Sequence, residues 1–192
     1  MKQFWVDCRP WKKEIATTAI ESGADAIVAD NADDVRRLGR ITTISEDGDL
    51  KIGTDIAEIT ITDKKSENAA AAIKDKKYVI VTTSDWTVIP LENLVAQSDR
   101  IIAKVKDAKE ADLALTVLER GTAGILLSTQ EPSVVREVAK KIKAAASQVN
   151  LVPITVTKIT PVGMGDRVCV DTCSMLADGQ GMLMGNTSSS LL

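Results

Sequence analysis

The chain of 192 residues has no histidine. That excludes Ser-His-Asp and Cys-His catalysis within it and leaves Lys, Asp, Glu, Tyr78 or Cys as general bases. Aromatic residues make up only 3%, with one Tyr and one Phe, so platforms for stacking nucleobases are lacking. No basic run goes beyond pairs such as Lys64-Lys65, and the net charge is −3. Both argue against a nucleic-acid partner or an anionic membrane surface. No apolar run approaches the length of a membrane span. Lys2, Asp7 and Arg9 interrupt the apolar N-terminus, unlike a secretory leader. Cys8, Cys169 and Cys173 form an odd set with no disulfide framework, which fits a reducing cytoplasm. The Cys169/Cys173 spacing is not that of a zinc knuckle and no histidine can complete a site, so no metal is expected.

What is present is an ordinary globular composition, 44% apolar and 27% charged. Short β-branched runs alternate with helical patterns. Strands are expected at Phe4–Asp7, Ala26–Ala29, Ile41–Ile44, Ile56–Thr62, Tyr78–Thr82, Ile101–Val105, Ile125–Leu127 and Leu151–Thr157. Between them, Trp11 to Ser22, Asp33–Leu38, a segment through Ala69, Ala70 and Ile73, Glu92–Gln97, a segment from Asp107 and Pro132–Ala146 have helical spacing. Ser66 is expected to cap the third helix and Asp107 the fifth, and Pro90 to sit at the first position of the fourth. The fifth helix presents Ala111, Leu115 and Leu118 on one face and stops at Gly121.

Such alternation implies parallel strands with right-handed crossovers. The expected fold is α/β: a compact (β/α) barrel-like parallel sheet over residues 1–158, followed over 159–192 by the start of a β-rich second domain. About 155 residues is short against the usual ~250 of a closed barrel, so an open or incomplete sheet stands as the alternative.

Ligands of parallel α/β folds sit at the C-terminal ends of the strands. The polar residues there are Asp7, Asp30, Thr82, Thr83, Lys104 and Ser128. Lys104 stands out because it interrupts an apolar strand. By alternation it shares a side with Ile102, opposite Ile101, Ala103 and Val105. A desolvated lysine facing inward could act as a base or amine nucleophile. A lysine at a strand edge whose head reaches water is the other reading.

The last third is the most specific part. Pro161-Val162-Gly163-Met164-Gly165-Asp166-Arg167-Val168-Cys169-Val170-Asp171-Thr172-Cys173 precedes Gly179-Gln180-Gly181-Met182-Leu183-Met184-Gly185. Gly163 and Gly165 let a ligand approach the main chain closely. On pattern alone the stretch reads first as a β-hairpin with a long glycine-bearing connection, since glycine pairs mostly mark turns, and Asp166-Arg167 reads as a turn ion pair. No Gly-x-Gly-x-x-Gly runs from a strand into a helix, so the residues by themselves do not call for a nicotinamide cofactor.

This signature, with Phe4-Trp5-Val6, Glu21-Ser22-Gly23-Ala24-Asp25-Ala26, Ile101-Ile102-Ala103-Lys104-Val105 and Leu118-Glu119-Arg120-Gly121, resembles archaeal-type (type II) 3-dehydroquinate synthase. The resemblance implies an NAD-dependent oxidative deamination and cyclisation. The substrate is the amino-sugar acid 2-amino-3,7-dideoxy-D-threo-hept-6-ulosonate, the product is 3-dehydroquinate, and the pathway is aromatic amino-acid biosynthesis. Asp166 and Asp171, matched by the signature, are expected beside Lys104 as catalytic residues, the carboxylates facing the cationic amine. Gly163, Gly165 and Arg167 are expected to bind the cofactor. Family members continue past the serine-rich segment into a further β-rich region, so a C-terminally truncated member is expected. The alternatives are an inert binding remnant and an aldolase-like barrel working through a Lys104 Schiff base without NAD.

Overall fold

The computed structural model describes residues 2–73, 75–83, 91–145 and 155–159. The chain divides into two units, Met1–Asn150 and Leu151–Leu192. Described strands of the first unit are β1 (Gln3–Asp7), β2 (Ala26–Val28), β3 (Thr42–Ser45), β4 (Leu50–Lys51), β5 (Ile56–Thr60), β6 (Tyr78–Thr82), β7 (Ile101–Val105) and β8 (Gly124–Ser128). Its described helices are α1 (Lys13–Glu21), α2 (Ala32–Arg36), α3 (Lys64–Ala72), α4 (Leu91–Gln97), α5 (Ala108–Thr116) and α6 (Pro132–Ala145). The strands lie in the order β4-β3-β2-β1-β8-β7-β6-β5, every ladder parallel. β1 thus sits between the second strand and the last.

The ends of this sheet nearly meet. Ile52, just after β4, bridges Ile56 of β5, and the Gly53 N–H donates to the Ile56 carbonyl at 2.7 Å. The fold is a nearly closed barrel, which answers the question of length. No helix separates β3 from β4 or β4 from β5, and the helices present are short.

Alternation divides the strand residues into two buried sets. Trp5, Ala26, Val28, Ile44, Ile56, Ile80, Ile102 and Leu126 pack together inside the barrel. Phe4, Val6, Ile27, Val79, Val81, Ile101, Ala103, Val105, Ile125 and Leu127 form the outer face, covered by helix residues such as Ile15, Ala19, Leu94, Val135 and Val138. Strands buried on both faces read as continuous apolar runs, which is why most were visible in the sequence. Each fully buried large side chain contributes roughly 1.5–3 kcal/mol. The ring of Trp5 meets Tyr78 edge-on, centroids 5.1 Å apart at 88°.

The structure corrects several expectations. The eighth strand is β4; of the expected strand Leu151–Thr157, residues 155–157 have no regular structure and 151–154 lie outside the described residues. β4 is two residues long and follows Glu46-Asp47-Gly48-Asp49, which reads as a loop. Aspartates fasten that loop. Asp49 accepts from the Thr43 N–H and hydroxyl, both at 2.9 Å, and Asp47 accepts from the Ser45 hydroxyl at 2.6 Å. α5 ends at Thr116, so Leu118 is not on its buried face. Leu118 is 53% exposed and, like Glu119, has left-handed backbone angles (φ +52° and +58°). Pro90 and residues 160–192 of the expected β-rich domain lie outside the described residues.

The cap of α3 is Asp63, not Ser66. Asp63 accepts from the Ser66 N–H at 2.7 Å, and the Ser66 hydroxyl accepts in return from the Asp63 N–H at 3.1 Å. Ser66 is therefore the third helical residue of a reciprocal capping box. Asp63→Ala should cost about 1 kcal/mol in urea unfolding; an unchanged midpoint would show that α3 is held by its packing alone. Asp107 caps α5 as expected, accepting from the N–H groups of Lys109 and Glu110 at 2.8 and 2.9 Å.

Candidate active site

Three strands each place an ionisable residue two positions beyond an inner apolar one. Trp5 leads to Asp7 on β1, Ile56 to Glu58 on β5, and Ile102 to Lys104 on β7. With a period of two, each shares its predecessor's inward side. They gather at the C-terminal mouth of the barrel, where barrel enzymes hold their substrates. Thr82 of β6 and Ser128 of β8, both half-buried, occupy the corresponding ends of their strands.

Asp7 is the hub, with only 2% of its side chain exposed. One carboxylate oxygen accepts from the Arg9 N–H at 3.2 Å and Arg9 Nε at 2.8 Å. The other accepts from Arg9 Nη2 at 3.0 Å and Lys104 Nζ at 2.8 Å. Burial pushes the Asp7 carboxyl up, but the bonds and charges of Arg9 and Lys104 outweigh it and hold the group below the usual carboxylate range. Arg9 also reaches Glu58, at 2.8 Å through Nη2 and 3.2 Å through Nη1. Its bond to Asp7 is the largest influence holding its guanidinium protonated. β1 and β5 are fourth and eighth in the strand order, so this bridge spans opposite walls of the mouth. Glu58 is 33% exposed, making its half of the bridge the wetter one.

Lys104 faces inward, which decides between the two sequence readings of it. Its side chain is 28% exposed, and its ammonium is paired with a buried carboxylate rather than released to solvent. Cys8, the neighbour of Asp7, points the other way into the outer core, where burial and then the Asp7 charge push its thiol up to about 12. It is not a thiolate nucleophile at neutral pH. Asp30 is exposed beyond β2, and Thr83 is buried just beyond β6. Asp166, Asp171, Gly163, Gly165 and Arg167 lie outside the described residues. Arg9 and Glu58 were missed by sequence reasoning. The signal was available in part, since the alternation that turns Lys104 inward also places Glu58 on the inner side.

The quartet runs in alternating sign, Glu58, Arg9, Asp7, Lys104, and can present cations to a carboxylate or a developing oxyanion. Among the described residues, the turns after β1, β2, β5, β7 and β8 contain no glycine that would admit a pyrophosphate to the backbone. Among the described residues no acidic or cysteine cluster is placed to hold a metal ion, and no helix is long and apolar enough to cross a membrane.

Solved structures share the barrel at low identity. Phosphoribosylanthranilate isomerase from Thermotoga maritima, in a monomeric form, aligns with a TM-score of 0.56 at 10% identity, covering 75% of this chain and 100% of that one. Family models match in two parts: the 3-dehydroquinate synthase II N-terminal domain over residues 1–142, and the C-terminal domain of the same family over 153–192. The chain is 70% identical over 192 residues to 3-dehydroquinate synthase of Methanoregula boonei, covering 100% of this chain and 58% of the relative. The enzyme of Methanoculleus marisnigri is 66% identical with the same coverage, and a 3-dehydroquinate synthase homolog of Aquifex aeolicus is 44% identical over 100% of this chain and 59% of its own length. The chain thus spans a little under three-fifths of the relatives it matches.

Proposed function

The chain belongs to the 3-dehydroquinate synthase II family, and from that membership we propose that the protein carries out the family's NAD-dependent reaction. 2-Amino-3,7-dideoxy-D-threo-hept-6-ulosonate loses a hydride from its amine-bearing C2 to NAD. Water then releases ammonia, and the resulting open-chain diketo acid closes by an intramolecular aldol reaction to 3-dehydroquinate. The supporting observation is the match to both domains of the family, with identity of up to 70% to a relative bearing that name.

Within the barrel unit the residues divide by charge. Lys104 and Arg9 offer N–H donors to the anionic groups of the substrate. Glu58, the more exposed carboxylate, faces the mouth as an acceptor for its ammonium. Asp7 touches Arg9 and Lys104 and keeps both in place. NAD, when bound, supplies the hydride acceptor. Its contacts are assigned to Gly163, Gly165 and Arg167, and the general base for the amine to Asp166 or Asp171, all from the signature. The setting is the reducing cytoplasm.

The full-length protein, given the amino-heptulosonate and NAD, should raise the absorbance of the reduced nicotinamide with release of one ammonia per turnover. A folded full-length protein that yields neither NADH nor ammonia would sink this reading.

A further inference from the structure

We infer that Lys104, held by Asp7, is the oxyanion donor of the ring-closing step, an inference that rests on the reaction proposed above. One N–H of the Lys104 ammonium is given to Asp7 at 2.8 Å, and no other acceptor among the described residues takes the remaining two. Among the described residues Lys104 is therefore a fixed cation with two N–H groups left for a ligand at the barrel mouth. Arg9 is differently placed, because four of its five side-chain N–H groups are already given to Asp7 and Glu58, leaving one at Nη1. Asp7 accepts four bonds and is buried, so it acts through Lys104 as a positioning residue.

Charge development separates the two halves of the reaction. Loss of hydride from the amine carbon builds positive charge on the C2–N bond. A fixed ammonium nearby opposes that change and cannot be its catalyst. Ring closure builds negative charge on oxygen. The C7 methyl proton passes to water while its electron pair moves into an enolate whose charge rests on the C6 oxygen. C7 then bonds to C2, and the alkoxide left on the C2 oxygen takes a proton back from water. No atom is gained or lost, and Lys104 keeps its proton throughout, its open N–H groups bonding the C6 oxygen as charge accumulates. That distinguishes this role from a Schiff base, in which the lysine would lose its proton and bond covalently to the ketone carbon.

The test measures NADH and 3-dehydroquinate together, early in the time course, in the full-length protein. Wild type should form them one to one. Lys104→Met should slow ring closure about a hundredfold, the loss seen when an oxyanion donor is removed. The ratio of dehydroquinate to NADH then falls and the open diketo acid accumulates. Lys104→Arg should recover part of the ratio, and Asp7→Asn should lower it. Borohydride added with substrate should leave the mass of the Lys104 peptide unchanged. Dehydroquinate and NADH falling in equal proportion in Lys104→Met would overturn the inference while leaving the proposed reaction standing, as would a substrate-sized mass gain at Lys104. Absence of NADH from the wild type would instead remove the reaction itself, and this inference with it.

Discussion

Asp7→Ala is expected to destabilise the barrel unit by about 3–5 kcal/mol, towards the lower end because both cations keep some water contact. The substitution removes a buried carboxylate that accepts four hydrogen bonds. It leaves the Arg9 guanidinium and the Lys104 ammonium close together with Glu58 as the remaining anion. A surface pair would contribute little, but Asp7 is 2% exposed, and breaking one side of a buried network costs more than the pair contributed when intact. Acid should produce the same change gradually. The Asp7 carboxyl titrates lower in the folded protein than in the unfolded chain. Its stabilisation is therefore complete above the unfolded value of about 4 and is lost as pH falls through the folded value. Urea unfolding of wild type and Asp7→Asn should differ at neutral pH and converge in acid. Parallel curves down to about pH 2 would mean that Asp7 is not the titrating hub described here.

Trp5→Ala should cost a further class of stability, about 3–5 kcal/mol, by emptying the barrel's interior. Trp5 is 1% exposed and belongs to the inner layer with Val28, Ile80, Ile102 and Leu126. Strands hydrogen-bonded on both sides move little to refill the space, so the cavity persists and its cost adds to the lost burial. The edge-on contact with Tyr78 is lost as well. Trp5→Phe keeps much of the volume and should recover most of the loss. Leu118→Ala, at a comparably apolar but half-exposed position, should stay within about 0.5 kcal/mol of wild type. Equal effects at the two positions would refute the account of the barrel interior. The layer also supports the site: Trp5 and Ile102 lie two residues before Asp7 and Lys104, so a slack interior should loosen the pair above it.

Much of the fold was legible because parallel strands are buried on both sides. Runs such as Tyr78–Thr82 and Ile101–Val105 carry that double burial in their composition. β4 was not legible, since Leu50-Lys51 has no pattern of its own and becomes a strand only because aspartate-fastened turns press it against β3. The cap of α3 was ambiguous for a local reason: Asp63 and Ser66 are both cap residues three positions apart, and only the helix start decides which one caps. In the candidate site, the inward turn of Lys104 followed from alternation. Its pairing with Asp7 and the reach of Arg9 to Glu58 did not, because they depend on which strands face each other across the barrel. That is a property of strand order, which periodicity in one segment does not contain.

The position of β1 between β2 and β8 has a consequence for synthesis. During synthesis β1 cannot gain its second neighbour until Gly124–Ser128 has emerged, well over a hundred residues later. Until then one edge of Gln3–Asp7 is open, with Trp5 on one face and Phe4 and Val6 on the other, and Asp7 has Arg9 beside it but not Lys104. Pairings so distant in the chain slow folding and prolong the exposure of such edges. The nascent barrel therefore stays open along β1 until β8 is made, and its charged mouth is among the last of its features to be assembled.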